Sequence, residues 1–547
     1  MEKSLYFLIP LFFPCALLSQ QLALVDEIKG RYGVINGLAI NESGQRFYLI
    51  ESASDSLVFN GNVAYILPRD PLNTSPYYFG RPYFIGFDDD QLYFVKTPGG
   101  TTFSLQDSSI YVFTTMVGDT LFALDTFFVN AANGPGTNLL LIEYNHAGAV
   151  LKSKHWQSPH NCHILANTAL KYGNSTFFCG EYGGNEGGLL LDNELLDIGT
   201  GNGNAFMGRL DADYKAVWLR SVSGYNYQIE NKFAINSNGK ILLAGASASS
   251  FVQFCEDTLV NTAFFDWGTD FLYLVQFDTS GNCINKKTID YHYGSTIPTA
   301  ISTLSDNSFI ISGTYNPPYI GFDSLYLYNP DFDQAGFLVK LSDGLEAQRV
   351  FQLEGSQGPK HIRSMITDQN NNHIWITGYA EVDTLQLGNE LLVNTTVGSS
   401  IGFLAVLDSA FNVISAMILD GNGRKLELGQ DGHVYVLTGI AAAHHKLFRV
   451  ESPTSAPNVT AAIKDPVEIN VYPNPLTSGH QLHYELTGPP DQFVTHLKIY
   501  DLFGRLIFSE FTHQKEGVLN LNIPPQILII EFFTNDNTRV IKKVVVK

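Results

Sequence analysis

The side chains with the greatest capacity for chemistry in this sequence are three histidines and one thiol within nine residues, His155, His160, Cys162 and His163. These residue types bind zinc, but a zinc site needs about four ligands aimed at one point. No second ligand pair stands at a familiar spacing elsewhere in the sequence. We therefore predict a cluster on the edge of a β-sheet, with Cys162 in a disulfide, and we predict no metal site.

Three other segments carry reactive residue types without the spacing that chemistry requires. The glycine-rich run 199–204 lacks the Gly-Lys-Ser/Thr ending of a phosphate-binding loop and is predicted to be an insertion. The consecutive carboxylates 88–90 lack the spaced ligands of a calcium loop and are predicted to form a turn. His444 and His445 are adjacent and are predicted to lie in a solvated loop. We predict no catalytic residue and no cofactor.

The composition narrows the class of protein. The 547 residues include 33 basic and 53 acidic side chains, a net charge of −20, and no basic patch is visible. Such a chain repels phosphate backbones, so nucleic acid is not an expected partner. The length favours two or more domains, and the 38 Phe and 27 Tyr favour strands over helices.

The first residues have the form of a secretory signal. Lys3 supplies positive charge, Leu5–Leu18 form an apolar core, and Ser19 is a small residue at a plausible cleavage point. The apolar stretch is short for a membrane span, and no later segment reaches 18 apolar residues. We predict a signal peptide at 1–19 and a mature chain outside the cytoplasm with no transmembrane segment.

One pattern returns along most of the chain: an apolar strand, a polar turn, and a second apolar strand that ends in a small residue. The predicted strand ends are Ser52, Thr115, Gly180, Gly245, Gly313, Gly378 and Gly439. Their spacings are 63, 65, 65, 68, 65 and 61 residues. A third apolar strand and another turn complete each unit, after a variable stretch that often contains a D-x-L step.

Each unit offers about four short strands, and one such sheet cannot bury both faces alone. Seven units of this length predict a seven-bladed β-propeller over 20–451, with a tandem array of immunoglobulin-type domains as the alternative. The last unit is short and Leu22–Tyr32 precede the first, so strands from both ends should close the last blade. Segments such as 372–378 and 402–408 resemble bacterial SBBP-like propeller repeats. This resemblance implies a propeller and no defined reaction.

A Pro/Ser-rich stretch breaks the repeat, and we predict a linker at 452–466. Beyond it, about seven short strand-like segments predict a small β-sandwich over 467–547. Three motifs follow one another there, Y-P-N-P, I-Y-D-L-F-G-R and a basic β-rich end. The residues concerned are Tyr472, Pro473, Asn474, Pro475, Tyr500, Asp501, Gly504, Arg505, Lys542, Lys543 and Lys547. The module resembles the type A C-terminal sorting domain of the type IX secretion system of Bacteroidota.

Four cysteines remain after the signal segment, which permits two disulfides with three connectivities. Cys162 and Cys179 flank one hairpin turn, and Cys255 and Cys283 belong to one repeat unit. We predict that each pair forms a disulfide.

The overall expectation is an all-β protein, a seven-bladed propeller followed by a sorting domain. The resemblance to the sorting family implies that the type IX secretion machinery is a partner and that the chain reaches the outer cell surface or the medium. The absence of a catalytic motif favours a binding or adhesion protein for an extracellular glycan or protein. The alternative is an exported glycosidase or lyase whose carboxylates converge on one face of the propeller.

Overall fold

The computed structural model is built of antiparallel β-sheets, and no helix occurs among the residues it describes, so the predicted all-β class is confirmed. The chain divides into two compact units, Met1–Pro453 and Thr454–Lys547. The predicted signal peptide and linker lie outside the described residues. The structure describes 21–451 and 468–547, with gaps at 30–32, 53–55, 61, 67–80, 89–90, 97–101, 107–108, 118–119, 124–125, 130–136, 157–161, 185–187, 197–202, 262–269, 292–293, 396–398, 442–443, 478–480, 488–492, 502–505, 522, 525 and 535–538.

The first three repeat units contain nineteen strands, including one that precedes the first unit. In chain order they are β1 (Gln21–Lys29), β2 (Gly33–Ile40), β3 (Arg46–Ser52), β4 (Ser56–Phe59), β5 (Asn62–Ile66), β6 (Arg81–Asp88), β7 (Gln91–Lys96), β8 (Thr102–Gln106), β9 (Ser109–Val117), β10 (Thr120–Ala123), β11 (Thr126–Val129), β12 (Thr137–Asn145), β13 (Val150–Trp156), β14 (Cys162–Tyr172), β15 (Ser175–Gly184), β16 (Leu189–Leu191), β17 (Glu194–Leu196), β18 (Asn204–Leu210) and β19 (Ala216–Gly224).

The remaining four units follow the same plan. Their strands are β20 (Gln228–Ile235), β21 (Ile241–Ser247), β22 (Phe251–Phe254), β23 (Asp257–Val260), β24 (Phe271–Phe277), β25 (Cys283–Thr288), β26 (Asp290–Tyr291), β27 (Thr296–Thr303), β28 (Phe309–Tyr315), β29 (Tyr319–Phe322), β30 (Leu325–Tyr328), β31 (Ala335–Leu341), β32 (Ala347–Gln352), β33 (Glu354–Gly355), β34 (Lys360–Asp368), β35 (His373–Ala380), β36 (Thr384–Leu387), β37 (Glu390–Val393), β38 (Ile401–Leu407), β39 (Val413–Leu419), β40 (Asn422–Leu428), β41 (Val434–Ala441) and β42 (His444–Glu451).

Within the described residues, four strands of each unit pair into one antiparallel sheet. The strand orders are β2-β3-β6-β7, β8-β9-β12-β13, β14-β15-β18-β19, β20-β21-β24-β25, β27-β28-β31-β32, β34-β35-β38-β39 and β40-β41-β42-β1. The seventh sheet takes its fourth strand from the start of the chain, because β1 pairs with β42 from Gln21 opposite Glu451 to Lys29 opposite His444. The predicted meeting of the two ends of this part of the chain is confirmed.

The first strand of each sheet contacts the first strands of the sheets before and after it. This series, here called the first strands, is β2, β8, β14, β20, β27, β34 and β40. The last of them, β40, contacts β2, so the contacts return to their start.

The variable stretch of the repeat forms a two-stranded hairpin in six units, a feature that the repeat pattern did not reveal. These outer hairpins are β4–β5, β10–β11, β16–β17, β22–β23, β29–β30 and β36–β37. Several of them join the preceding unit: β4 pairs with β1 of the seventh sheet, and β22 pairs with β19 of the third. The hairpins therefore link neighbouring units by backbone hydrogen bonds.

The middle strands of each sheet lie in the interior. All seven residues of β24, β31 and β38 are buried, which explains why the sequence there is continuously apolar rather than alternating. One apolar cluster runs from Phe177 through Leu243 to Phe337 across three successive sheets. Neighbouring sheets therefore bury each other's faces, as the repeat requires.

The polar turns after the third strands share one hydrogen-bonding scheme. The carboxylate of Asp278 accepts from the backbone N–H groups of Ser280 and Asn282 at 2.8 and 2.9 Å. Asp408 does the same with Ala410 and Asn412, at the same distances. Asp and Asn side chains favour such turns because they imitate a backbone carbonyl. The recurrent acidic residue of the repeat is thus explained by turn formation.

Six of the seven first strands carry a β-bulge where they pair with the second strand of their sheet, counted over the described pairings. The recurrent glycine of the second strand lies at this point in several units. Gly180 and Gly378 each pair with the residue before the bulge. A Cβ on Gly378 would stand 1.9 Å from the His361 carbonyl oxygen, and a Cβ on Gly180 equally close to that of Leu165. The glycine is therefore required by the close approach of the bulged strand.

The cysteine predictions have opposite outcomes. Cys255 and Cys283 form a disulfide with a Cα–Cα distance of 6.5 Å, as predicted. The Cys162–Cys179 prediction is wrong, because Cys179 is a buried free thiol. Cys162 pairs with Gly184 across the hairpin and Cys179 with Thr168. The two cysteines are thus about five positions apart along the strands, on the order of 16 Å, and no disulfide spans that distance.

The second compact unit contains seven strands in the described residues, as many as the sequence predicts. They are β43 (Glu468–Tyr472), β44 (Gln481–Thr487), β45 (Val494–Asp501), β46 (Leu506–Gln514), β47 (Glu516–Asn520), β48 (Gln526–Thr534) and β49 (Arg539–Val546). They form the sheets β43-β44-β47 and β46-β45-β48-β49. Both sheets contribute to one core, with Ile469 and Leu482 from the first and Ile530 and Val544 from the second.

The close approach at the bulge predicts the effect of a single added methyl group. We expect Gly378→Ala to lower the free energy of unfolding by about 1–3 kcal/mol, the usual cost of overpacking a filled interior. Urea denaturation measures the change. The matched control is Gly344→Ala, because the nearest atom to its added Cβ would be 3.7 Å away. Equal stability of the two variants would contradict the proposed role of the glycine.

Candidate functional site

The bulges place polar side chains on the first strands. A bulge leaves a residue out of the strand pairing and re-aims its side chain. The residues left out, here called the bulge residues, are Asn36, Asn167, Glu230, Thr299, Arg363 and Arg424, with Asn231 beside Glu230. Glu230, Arg363 and Arg424 are exposed. Because the first strands contact one another in series, these side chains belong to one region of the unit.

Several bulge residues are held by the second strand of their own sheet. The Asn167 side chain donates to Glu181 Oε1 at 2.9 Å, and the Thr299 hydroxyl lies 2.9 Å from that of Ser312. Arg363 donates from Nη2 to the Tyr379 hydroxyl at 2.9 Å, and its guanidinium lies 5.2 Å from the centre of that ring. These contacts orient the polar groups without consuming all of their hydrogen-bonding capacity.

His361 lies two residues before Arg363 and stacks on the same tyrosine. The His361 and Tyr379 ring centres are 4.8 Å apart with an interplanar angle of 29°. Burial, and then the neighbouring Arg363 charge, lower the pKa of His361 to about 4. The imidazole is therefore neutral at physiological pH. Tyr379 is therefore contacted by both the His361 imidazole and the Arg363 guanidinium.

Carboxyl groups near the bulge residues have raised pKa values. Burial raises the pKa of Glu181, with a smaller contribution from the charge of Glu230. Burial likewise raises the pKa of Glu427 to about 7, against the opposing effect of Lys425. Both carboxyls are only partly exposed. Carboxyl groups with raised pKa values are common at functional sites.

The pKa of one amine in this region is also changed by its surroundings. Burial lowers the pKa of Lys425, and the charge of Lys232 lowers it further. Lys232 lies on β20 of the fourth sheet and Lys425 on β40 of the seventh. Lys232 also forms an ion pair with Glu230 at 3.4 Å.

Two segments that the sequence analysis singled out lie elsewhere. His155 is in β13, an edge strand of the second sheet, whereas Cys162 and His163 are in β14 of the third sheet, and His160 lies outside the described residues. The prediction of a solvated loop at 444–445 is wrong, because both histidines begin β42. His444 Nε2 lies 2.7 Å from Glu27 Oε1, and His445 is buried. The pairing with β1, far away in sequence, explains their position. Residues 89–90 of the acidic run 88–90 and residues 199–202 of the glycine-rich run 199–204 lie outside the described residues.

No group of three or more His, Cys, Asp or Glu side chains within the described part of the chain could hold a metal ion. The same residues contain no helix long and apolar enough to cross a membrane.

The motifs of the C-terminal unit meet in space. Asn474 donates from Nδ2 to the Lys543 carbonyl at 2.8 Å and accepts from the Val545 N–H at 3.0 Å. Leu476 extends this contact, because its N–H bonds to the Val545 carbonyl at 2.7 Å. The Y-P-N-P segment is thus fixed to β49, the strand that contains the basic end of the chain.

The other motif residues surround this junction. Tyr472 is half exposed and stacks on His483 at 5.5 Å, and Pro473 and Pro475 flank Asn474. Tyr500 and Asp501 end β45, which pairs with β48 and through it with β49. Lys543 and Lys547 are exposed, and Lys542 is partly exposed. Gly504 and Arg505 lie outside the described residues.

The bulge residues were missed by the sequence analysis. The apolar part of the first strands begins after the bulge, as at Phe233 and Met365, which follow the bulges by two residues. A signal was present, because a polar residue stands just before the apolar part of most first strands. One polar residue in a short strand has many explanations, however, and does not by itself indicate a bulge.

Comparison with known proteins identifies no family. No protein-family model matches the chain, and no curated protein matches its sequence. Among solved structures, a glucose dehydrogenase is 13% identical over 59% of this chain and 94% of its own, with a TM-score of 0.29. Synechocystis apocarotenoid oxygenase is 10% identical over 73% and 90%, with a TM-score of 0.33.

The solved structures also include PorZ, a surface component of the type IX secretion system of Porphyromonas gingivalis. It is 11% identical over 94% of this chain and 93% of its own, with a TM-score of 0.16. All three similarities fall below a TM-score of 0.5. They assign neither an activity nor a family to this chain.

The raised pKa of Glu427 predicts a pH dependence of stability. A carboxyl whose folded pKa exceeds its unfolded value stabilises the fold below the unfolded pKa, and this contribution is lost as pH rises through the folded value. Between pH 4.5 and 8, the free energy of unfolding of the native protein should therefore fall relative to that of Glu427→Gln. We expect about 1–2 kcal/mol, less than the full shift because the side chain is partly exposed.

Urea denaturation at pH 4.5, 6 and 8 measures this difference. Glu346→Gln, which changes an exposed carboxylate, is the control and should follow the native protein at each pH. Parallel curves for the native protein and Glu427→Gln would show that Glu427 is not desolvated.

Proposed function

We propose that the first compact unit is a seven-bladed β-propeller. The closed series of contacts among the seven first strands supports this architecture, as does the pairing of β1 with β42 in the seventh sheet. Closure by a strand from the opposite end of the chain leaves no unpaired sheet at the junction, a common solution to the problem of exposed edges. In this arrangement the first strands surround the central axis of the propeller.

We propose that this propeller is a binding module for an extracellular glycan or protein, with its ligand site at the bulge residues. The observation that carries the proposal is the set of polar side chains that bulges place on successive first strands. Arg363 and Arg424 offer exposed planar donors for carboxylate or hydroxyl groups. The Tyr379–His361 pair beside Arg363 adds an aromatic surface. Bulges commonly lie beside functional sites.

We also propose that the protein is exported by the type IX secretion system and acts at the outer cell surface or in the medium. The Cys255–Cys283 disulfide supports an oxidising compartment. The junction of the Y-P-N-P segment with β49 supports the C-terminal unit as the address, because it brings two of the three motifs together.

A second candidate function is an exported glycosidase. It is favoured by the carboxyl group of Glu427, whose pKa is raised to about 7 and suits a general acid near neutral pH, and by that of Glu181, whose pKa is raised by burial. The bulge residues favour binding over catalysis, because two of the three exposed ones, Arg363 and Arg424, are arginines and only Glu230 is a carboxyl group.

The binding proposal predicts the effect of removing the exposed guanidinium groups. We expect Arg363→Ala and Arg424→Ala each to weaken ligand binding about tenfold, equivalent to about 1.4 kcal/mol. The mature full-length chain is screened on arrays of extracellular glycans and proteins, and hits are measured by calorimetry. Arg349→Ala, an exposed arginine on β32, is the matched control and should bind like the native protein.

Ligand binding that is unchanged in both arginine variants would contradict the proposed site. If the native protein cleaves a glycan on the array and Glu427→Gln does not, the glycosidase proposal replaces the binding proposal.

The export proposal predicts where variants accumulate. Deletion of 467–547 should leave the protein in the periplasm, because the sorting surface is lost. In the full-length chain, the double substitution of Lys542 and Lys543 by Ala should also reduce export, since both lie on the proposed surface. Fractionation and protease accessibility on intact cells measure the location. A matched control replaces Lys286 and Lys287, in the first unit, by Ala.

Surface exposure of the truncated protein would contradict the proposal that the C-terminal unit is the address.

A further inference from the structure

A cleft of about 420 Å³ lies beside the outer hairpin β29–β30. Two exposed tyrosines from β30, Tyr326 and Tyr328, form one wall. Phe351 and Gln352 from β32 lie on its floor, and Glu354 and Gln386 come from the next unit. The volume falls within the range typical of small-molecule sites. None of these residues belongs to the bulge residues, so the cleft is a separate feature.

The tyrosines form a continuous aromatic surface. Tyr319 and Tyr328 are directly opposed in the hairpin, and Tyr326 lies two residues from Tyr328 on the same face. The ring centres of Tyr319 and Tyr326 are 6.1 Å apart. Those of Tyr326 and Tyr328 are 6.3 Å apart, with an interplanar angle of 27°. Gly321 pairs with Tyr326 and has no side chain that could cover the ring.

The two tyrosine rings of β30 are exposed to solvent. Tyr326 is 40% exposed and Tyr328 65% exposed, whereas Leu327 between them is buried. The hairpin thus already has a buried side that holds it to the protein. Its aromatic side is available for a ligand, and exposed aromatic groups of this kind commonly mark binding sites.

The polar groups of the cleft are fixed in place. The Tyr315 hydroxyl donates to Gln352 Oε1 at 2.5 Å, and Gln352 Nε2 donates to the Tyr328 carbonyl at 3.1 Å. Gln386 Nε2 donates to the Gly388 carbonyl at 2.5 Å. Each amide nitrogen has a second hydrogen, and each carboxylate oxygen of the exposed Glu354 can accept. The cleft therefore combines a flat apolar wall with pre-oriented donors and acceptors.

We propose that this cleft binds a neutral glycan chain, with pyranose rings stacked on Tyr326 and Tyr328. A pyranose presents a face of C–H groups that fits the electron-rich face of a tyrosine ring. Its hydroxyls can both donate and accept, which matches the Gln352 and Gln386 amides and the Glu354 carboxylate. The named residues include no cation, and the chain carries a net charge of −20, so an anionic glycan is disfavoured.

The test uses the mature full-length chain and four neutral hexasaccharides, cellohexaose, laminarihexaose, mannohexaose and maltohexaose, measured by titration calorimetry. We expect at least one to bind and Tyr328→Ala to weaken that binding at least tenfold. Tyr328→Phe keeps the ring and should remain within about twofold. Tyr225→Ala is the matched control, because Tyr225 is 60% exposed and lies outside the cleft.

The test also separates this site from the bulge residues, since hexasaccharide binding that Arg363→Ala removes and Tyr328→Ala leaves intact would belong to the bulge residues and not to the cleft. Hexalysine tests the competing occupant, a cationic peptide attracted by Glu354 and the tyrosine faces. Hexalysine binding that is lost in Glu354→Gln, without binding of any hexasaccharide, would overturn the glycan proposal. So would absence of binding by all four sugars, or binding that Tyr328→Ala leaves intact.

Discussion

The pairing of β1 with β42 is the interaction on which the first compact unit depends. It joins residues more than four hundred positions apart and completes the seventh sheet. The buried Asp26 on β1 is held from another sheet: Arg46 Nε lies 2.7 Å from its carboxylate and Arg46 Nη2 donates at 3.3 Å. Tyr48 also donates to Asp26. Loss of one member of such a buried pair leaves an uncompensated charge, so β1 is strongly fixed.

The packing of the sheets limits where functional residues can lie. The second and third strands are buried between neighbouring sheets, so a polar substitution there costs a desolvated group. The first strands are partly exposed, and at a bulge one polar side chain is turned away from the pairing. In several units the bulge is accompanied by glycine on the second strand, as the 1.9 Å approach to Gly378 illustrates. A recurrent glycine and a variable polar residue are therefore two consequences of one backbone feature.

The sequence predicted the features that depend on local pattern. These features are the strands, the turns, the number of strands in the C-terminal unit and the Cys255–Cys283 disulfide. They follow from hydrophobic periodicity and turn residues within short segments of sequence. The Cys162–Cys179 prediction failed because hairpin register, with Cys179 opposite Thr168, decides which side chains meet. The bulges and outer hairpins were missed for a related reason. Both depend on which strands pair and in what register, and a single sequence does not specify this pairing.

The two proposed ligand sites occupy the two parts of each unit that the core leaves free to vary. The bulge residues differ from one first strand to the next, with Asn167, Glu230 and Arg363 at comparable places, although the surrounding apolar residues are similar. The outer hairpins β16–β17, β22–β23, β29–β30 and β36–β37 differ as freely, since only one side of each is buried. In β29–β30 that side is supplied by Ile320 and Leu327. Because Tyr326 and Tyr328 contribute little to this burial, a substitution there changes the cleft without opening the core. A repeat fold of this kind can therefore acquire a peripheral site in one unit while its closing strand and its central residues stay unchanged.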